Sequence, residues 1–320
     1  MEDAASFLRG ELRGLFAPGG EVTRARYSPS LHFEDPITRL DNLEAYVLMV
    51  RALKTVFNIG FELHTLEVSG PDEITARWTM TVEVWPLPWR PTAVFTGRSK
   101  YVVDASSGLI TSHRDTWDAV ADNSFPSLEA LAVLMRQALD LTQIPKDLET
   151  PKYSVVRAGR GYEVRRMEGF LVADAPMAAG AGPASGSGFN TLAGYIFGGN
   201  KEKESISMTT PVFSEVTESG PQMSFVMESK YSDVSSLPAP LDPRVKARAV
   251  APKFVAAARF SGLAFDWEVD SAERALRAAL LRDGIAPAMG YRLARYNDPT
   301  VLPPFRRNEV LIDLPDFEWP

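Results

Sequence analysis

The 320-residue sequence has no cysteine. Disulfides, thiolate metal centres, iron–sulfur clusters and cysteine nucleophiles are therefore excluded together. Histidine is nearly as scarce: His32, His64 and His113 all lie before residue 120. Residues 151–320 have none, which constrains any metal chemistry there to Met, Tyr, Lys, carboxylates or water. A basic excess is missing too. Residues 1–150 hold 14 Lys+Arg against 21 Asp+Glu, and residues 151–320 hold 20 of each. Neither half has the cationic surplus with which proteins track nucleic acid. Long apolar runs are absent as well. The longest uncharged stretch, 175–200, carries seven glycines and two prolines, and it reads as a loop at its start and not as a membrane span. The first sixteen residues are acidic and amphipathic, which suits neither a signal peptide nor a transit peptide.

What is present is ordinary for folded protein: 45% hydrophobic and 23% charged residues. The length suggests two domains of about 150 residues each. In the first half, Ala4, Phe7, Leu8, Leu12 and Leu15 share a helical face over 3–16, and Pro18-Gly19-Gly20 ends it. A loop is expected between Tyr27 and Pro36, and Asp41-Asn42 can cap a helix over 43–57. Alternating patterns over 60–69, 73–86, 91–104 and 108–118 predict four antiparallel strands. Pro86 and Pro88, between Trp85 and Trp89, mark a strand break, with a packed hairpin end or an exposed aromatic knob there. The expectation is an α+β cone, one curved sheet over helices. Tyr27, Leu31, Phe33, Asp35 and Pro36, followed by Asn42, Tyr46 and Leu53, give residues 5–120 a pattern that resembles the nuclear-transport-factor-2-like superfamily. More closely, it resembles a domain of unknown function that plant and algal proteins carry ahead of a tetrapyrrole-binding domain.

Period two places His113, Asp115 and Trp117 on one face of the last strand. A His/Asp pair inside such a cone can serve as general acid and base on a small molecule, or it can be a structural hydrogen bond at the sheet edge. His32 is placed where it could reach the same mouth. A linking helix over 126–143 and a polar connector put the domains at 1–125 and 151–320, with 126–150 between them.

The second half repeats itself. A helix at 189–197 recurs at 273–281, strands at 170–173 and 206–215 recur at 254–257 and 290–299, and one at 225–228 recurs at 310–313. A near-constant offset of four elements argues for two copies of a strand–helix–strand–strand unit about a pseudo-twofold axis, closing into a distorted β-barrel with two flanking helices. The Pro-rich segment 237–243 reads as the linker between copies. Phe189, Leu192, Ala193 and Ile196 share one face of the first helix, and Met208, Met223, Phe225 and Met227 are assigned to neighbouring strands.

The run Gly188-Phe189-Asn190-Thr191-Leu192-Ala193-Gly194-Tyr195, the element Met208-Thr209-Thr210-Pro211-Val212, and the ends Tyr162-Glu163-Val164-Arg165 and Arg306-Arg307-Asn308-Glu309-Val310 resemble the SOUL heme-binding family over 151–315. The resemblance implies reversible binding of heme or other tetrapyrroles in a hydrophobic cleft, a role as buffer or carrier, and a plastid setting as in plant and algal members; otherwise the chain reads as a soluble cytosolic protein. The apolar residues just named would then wall the ligand. Relatives often carry basic residues near the propionates where this chain has Gly186 and Gly194, so Arg274 with Arg277, or Lys201 with Lys203, are the substitutes the sequence offers. A ligand to iron would come from His32 or His113 if the first domain contributes. The alternatives are oxidative breakdown of the bound heme, small-molecule catalysis in the first domain, and an interaction module with a vestigial pocket.

Overall fold

The computed structural model describes residues 1–318 apart from Pro86, Pro88, Gln143, Lys146 and Glu218. Residues 1–141 with 155–160 form one unit, and residues 142–154 with 161–320 form the other. In the first, Ala4, Leu8 and Leu12 recur at helical spacing and are buried along α1 (Glu2–Gly14). Strand β1 (Tyr27–Glu34) and the short β2 (Arg39–Leu40) precede α2 (Leu43–Val56), whose cap is the expected Asn42, accepting the Ala45 N–H at 2.8 Å. The meander follows as β3 (Asn58–Val68), β4 (Glu73–Glu83), β5 (Thr92–Val103) and β6 (Ile110–Trp117). The sheet runs β2-β1-β6-β5-β4-β3, parallel between β1 and β6 and antiparallel elsewhere. Leu8, Leu12, Leu31, Tyr46, Val50, Ile74 and Tyr101 join helices and sheet in one core.

Two differences from the sequence reading stand out. The segment expected to be a loop from Tyr27 is strand β1. Its Ser28-Pro29-Ser30 composition imitates a turn, but β2 pairs only with Phe33 and Glu34, so Pro29 needs no ladder donor on that side. The helix expected to link the domains is α3 (Leu128–Ala138), capped by Ser127, and Ala130 buries it with Trp78, Phe95 and Trp117 of the first unit. Gln143, the expected end of that helix, and the strand-breaking Pro86 and Pro88 lie outside the described residues.

Strand β7 (Tyr153–Gly159) precedes β8 (Tyr162–Met167), β9 (Phe170–Pro176), α4 (Phe189–Ile196), β10 (Val212–Thr217) and β11 (Gly220–Val226). Then come β12 (Lys246–Val250), β13 (Lys253–Phe260), α5 (Asp266–Arg282), β14 (Arg292–Arg295) and β15 (Asn308–Asp313). The sheet of the second unit runs β12-β9-β11-β10-β14-β15-β13-β8. Outward from the central β10–β14 pair, both sides read the same: β10, β11, β9, β12 against β14, β15, β13, β8. This is the order a duplicated strand–helix–strand–strand unit gives when its copies face each other, with one more strand ahead of each copy.

Boundaries shift from the expected ones for local reasons. The strand expected from residue 206 begins only at Val212. Pro211 has no N–H to give, and the Thr209 and Thr210 hydroxyls donate to the Val226 and Tyr296 carbonyls at 2.6 and 2.8 Å. Met208 is therefore off the sheet and 43% exposed. Helix α5 starts earlier than its repeat partner because the Glu268 carboxylate accepts the Phe265 N–H at 2.9 Å and closes its first turn. Gly188 starts α4 at φ 100°, a left-handed conformation in which a Cβ would also meet the Pro176 carbonyl at 3.3 Å. No helix among the described residues is long and apolar enough to cross a membrane.

Candidate functional site

Strand register builds a polar corner in the first unit. Tyr101 and Ser99 of β5 lie opposite His113 and Asp115 of β6, so four functional side chains share one face. They line a cavity of about 340 Å3 whose other walls include Phe33, Trp78, Phe95 and Trp117. His113 Nε2 lies 2.8 Å from Asp115 Oδ1. The Ser99 hydroxyl donates to the same carboxylate and accepts from Trp78 Nε1 at 2.8 Å. Tyr101 stacks on the imidazole with centroids 4.3 Å apart, while Phe33 and Tyr46 meet it edge-on. The expected His113/Asp115 pair is thus formed. It does not sit at a sheet edge, because β6 is flanked by β1 and β5.

Asp35 lines the same cavity. Burial pushes its carboxyl up to about 6; the Ile37 and Thr38 N–H groups pull the other way, and the Asp115 charge adds to the rise. Burial also pushes up the Tyr46 and Tyr101 phenols. His32 does not reach this mouth. It alternates with Phe33 onto the opposite face of β1, where its Nδ1 pairs with Asp41 at 2.6 Å. His64 is held by the Thr79 hydroxyl at 2.7 Å. Trp89 donates to the Ala138 carbonyl at 2.9 Å as the packed hairpin end, whereas Trp85 is exposed.

In the second unit the anticipated ligand wall divides in two. Leu192, Ile196, Met223, Phe225 and Met227 are buried with Tyr195 and Ile206 in a closed core between α4 and the sheet. The stripe read from the sequence as a cleft wall is mainly the inward face of α4. The outward face holds Phe189, Ala193, Gly194 and Phe197, with Phe189 and Phe197 39% and 66% exposed. No charged residue lies in α4, and open space surrounds the position of a Gly194 Cβ. Phe189 is braced edge-to-face on Phe225 at 5.2 Å.

The expected cations lie elsewhere. Arg277 donates to the carbonyls of Ala288, Met289 and Gly290 and pairs with Glu273, so it fastens a loop. Arg274 is exposed and donates to the Asp270 carbonyl, and Lys201 and Lys203 are exposed. A different cation faces the segment that leads into α4. Arg295 of β14 donates to the carbonyls of Ala184, Pro183 and Ser185 at 3.1 to 3.3 Å and to the Ser214 hydroxyl at 3.0 Å. Among the described residues it forms no ion pair, and desolvation lowers its pKa. Only its place in an alternating strand could have drawn attention to it in the sequence.

The two ends of the family-like pattern meet in space. Arg165 clamps Glu309 through both guanidinium nitrogens at 2.6 and 2.8 Å; Arg307 donates from Nε at 2.9 Å and Tyr296 from its hydroxyl at 2.7 Å. Burial raises the Glu309 carboxyl, but Arg165 and Arg307 together hold it well below the usual range. These motif residues form a buried structural network. A separate open groove of about 470 Å3 is lined by Phe170, Leu171, Met227 and Val250, with Glu149, Glu168, Glu228 and Lys152 among its polar residues. Of the residues anticipated as ligand contacts, Met227 alone lines this groove. No group of three or more His, Asp or Glu among the described residues is arranged to hold a metal ion.

A family model described as SOUL heme-binding protein matches residues 148–313, and one described as uncharacterized conserved protein (DUF2358) matches residues 2–113. No curated protein matches the chain. A SnoaL-like polyketide cyclase from Jannaschia sp. CCS1 is similar at 11% identity and TM-score 0.33, over 43% of this chain and 93% of its own. An LEH-like epoxide hydrolase from M. tuberculosis is similar at 17% identity and TM-score 0.31, over 43% and 92%. An NTF2-like protein of unknown function from Exiguobacterium sp. 255-15 is similar at 14% identity and TM-score 0.30, over 35% and 98%.

Proposed function

The chain belongs to the SOUL heme-binding protein family, and from that premise we propose that it carries or buffers heme or a related tetrapyrrole on the outward face of α4, with Arg295 receiving a ligand carboxylate. The observation that carries this reading is an uncharged, exposed helix face together with a partly buried guanidinium that holds the segment leading into that helix and has no counterion among the described residues. Phe189 and Phe197 stand eight residues apart, about 12 Å along the helix at 1.5 Å per residue. Ala193 and Gly194 leave the surface between them low, which suits a flat apolar ring system.

Arg295 holds the carbonyl of Ser185, four residues before Phe189. A desolvated cation held only by neutral acceptors is costly, and a carboxylate replacing those carbonyls would lower that cost. The open groove near Met227 is the poorer host. Glu149, Glu168 and Glu228 against Lys152 give it the wrong sign for a ligand bearing carboxylates. Apolar contact on α4 and ion pairing at Arg295 are both reversible, as a carrier or buffer requires.

Titrating hemin into the full chain and following its Soret band tests the reading. A saturable shift is expected. Gly194→Glu should weaken binding at least about tenfold by setting a like charge on the contact face. It should leave stability equal or higher, because Gly is the poorer helix former by about 0.5 kcal/mol. Unchanged affinity in Gly194→Glu would place the ligand elsewhere.

A further inference from the structure

The cavity of the first unit contains two polar atoms that the protein leaves unsatisfied. His113 Nδ1 and Tyr101 Oη are buried and have no hydrogen-bond partner. Their residues are 5% and 1% exposed, and both line the same cavity. The state of the imidazole follows from its other nitrogen. Nε2 faces the Asp115 carboxylate at 2.8 Å, and a carboxylate only accepts, so Nε2 is the donor; the neutral ring of that tautomer has its lone pair on Nδ1. Tyr101 has the complementary need. The Ser99 hydroxyl donates to Asp115 and accepts from Trp78, and the Tyr101 hydroxyl has no partner in hydrogen-bond geometry. The two rings stack with centroids 4.3 Å apart, and both residues line the cavity. An acceptor and a donor left without partners on the lining of one apolar hollow are the complement of a hydroxyl group.

We propose that this cavity binds a small, neutral, mostly apolar alcohol or phenol, whose hydroxyl donates to His113 Nδ1 and accepts from Tyr101 Oη. The inference concerns the first unit alone and does not rest on tetrapyrrole binding. The size, about 340 Å3, lies at the small end of ligand pockets and suits a ligand of one or two rings. Trp78, Phe95 and Trp117 provide flat walls for such rings. Asp115 and Asp35 on the same lining disfavour an anion. Buried polar atoms in native proteins are nearly always paired, so two orphans within one built cavity point to an occupant.

Three probes separate the possibilities when titrated into the full chain and read by quenching of tryptophan fluorescence: 2-naphthol, naphthalene and 2-naphthoate. The phenol should bind at least about tenfold more tightly than the hydrocarbon (about 1.4 kcal/mol), and the carboxylate more weakly than both. Tyr101→Phe removes one oxygen and keeps the stacked ring, so the fold should survive. In Tyr101→Phe, and in His113→Phe, the preference for 2-naphthol over naphthalene should fall to within about threefold. Equal binding of 2-naphthol and naphthalene by the wild-type chain would overturn the proposal, as would a preference that persists in both variants. Absence of saturable binding of either probe would show the orphaned atoms to be served by water alone, and would overturn it too.

Discussion

Replacing Glu309 by Leu should cost the second unit about 3–5 kcal/mol, because it takes from buried Arg307 its carboxylate partner and leaves buried Arg165 with Glu163 alone. Set against a total stability of about 5–15 kcal/mol, that is a large part of the fold. The measurement is urea unfolding followed by circular dichroism. Its pH dependence has a definite sign. The Glu309 carboxyl sits well below its ordinary 4.5 in the folded chain, so its contribution is complete above about 4.5 and is lost as pH falls below that value toward the folded pKa. The wild type should lose stability over that acid range, and the loss should be smaller in Glu309→Leu. Equal stability of the two proteins at neutral pH would mean that the network contributes nothing.

Leu192→Asp should be at least as damaging. Leu192 is fully buried among Tyr195, Ile196 and Met223. Truncating a buried leucine costs about 2–5 kcal/mol, and an unpaired carboxylate in that core adds several more. The variant should unfold at neutral pH. Relative to wild type it should recover as pH falls, since burial raises the new carboxyl and protonation then favours the folded state. A folded Leu192→Asp protein that had lost only hemin binding would return Leu192 to the ligand wall and contradict its place in the core.

This change of role for Leu192 marks where sequence reasoning reached its limit. Period 3.6 identified one apolar face on 189–196, but periodicity alone does not say whether that face meets ligand or sheet. The answer came from β9 and β11, which cover Leu192 and Ile196 and leave Phe189 and Phe197 outside. The repeat was readable because each copy must bury the same faces, so strand–helix–strand–strand spacing persists while identities drift. Strand β1 was hidden by Pro29 at an unpaired stretch of edge. His113 and Asp115 were found together because alternation in one strand suffices to join them. Tyr101 was missed as their partner because it comes from β5, and register between strands is set by tertiary pairing. Arg295 gave no signal: its significance is the lack of a carboxylate nearby, which no linear pattern records.

Arg295 is proposed to receive a carboxylate of a tetrapyrrole lying on α4. This is tested most directly by titrating hemin and hemin dimethyl ester, which lacks the free carboxylates, into the wild-type chain and into Arg295→Gln, and comparing the four dissociation constants. A charged hydrogen bond of this kind is worth about 1.5–3 kcal/mol, or roughly ten- to a hundredfold in affinity. Arg295→Gln should weaken hemin by that factor and leave the ester within about threefold of wild type. Equal losses for hemin and ester, or no loss for hemin, would contradict it.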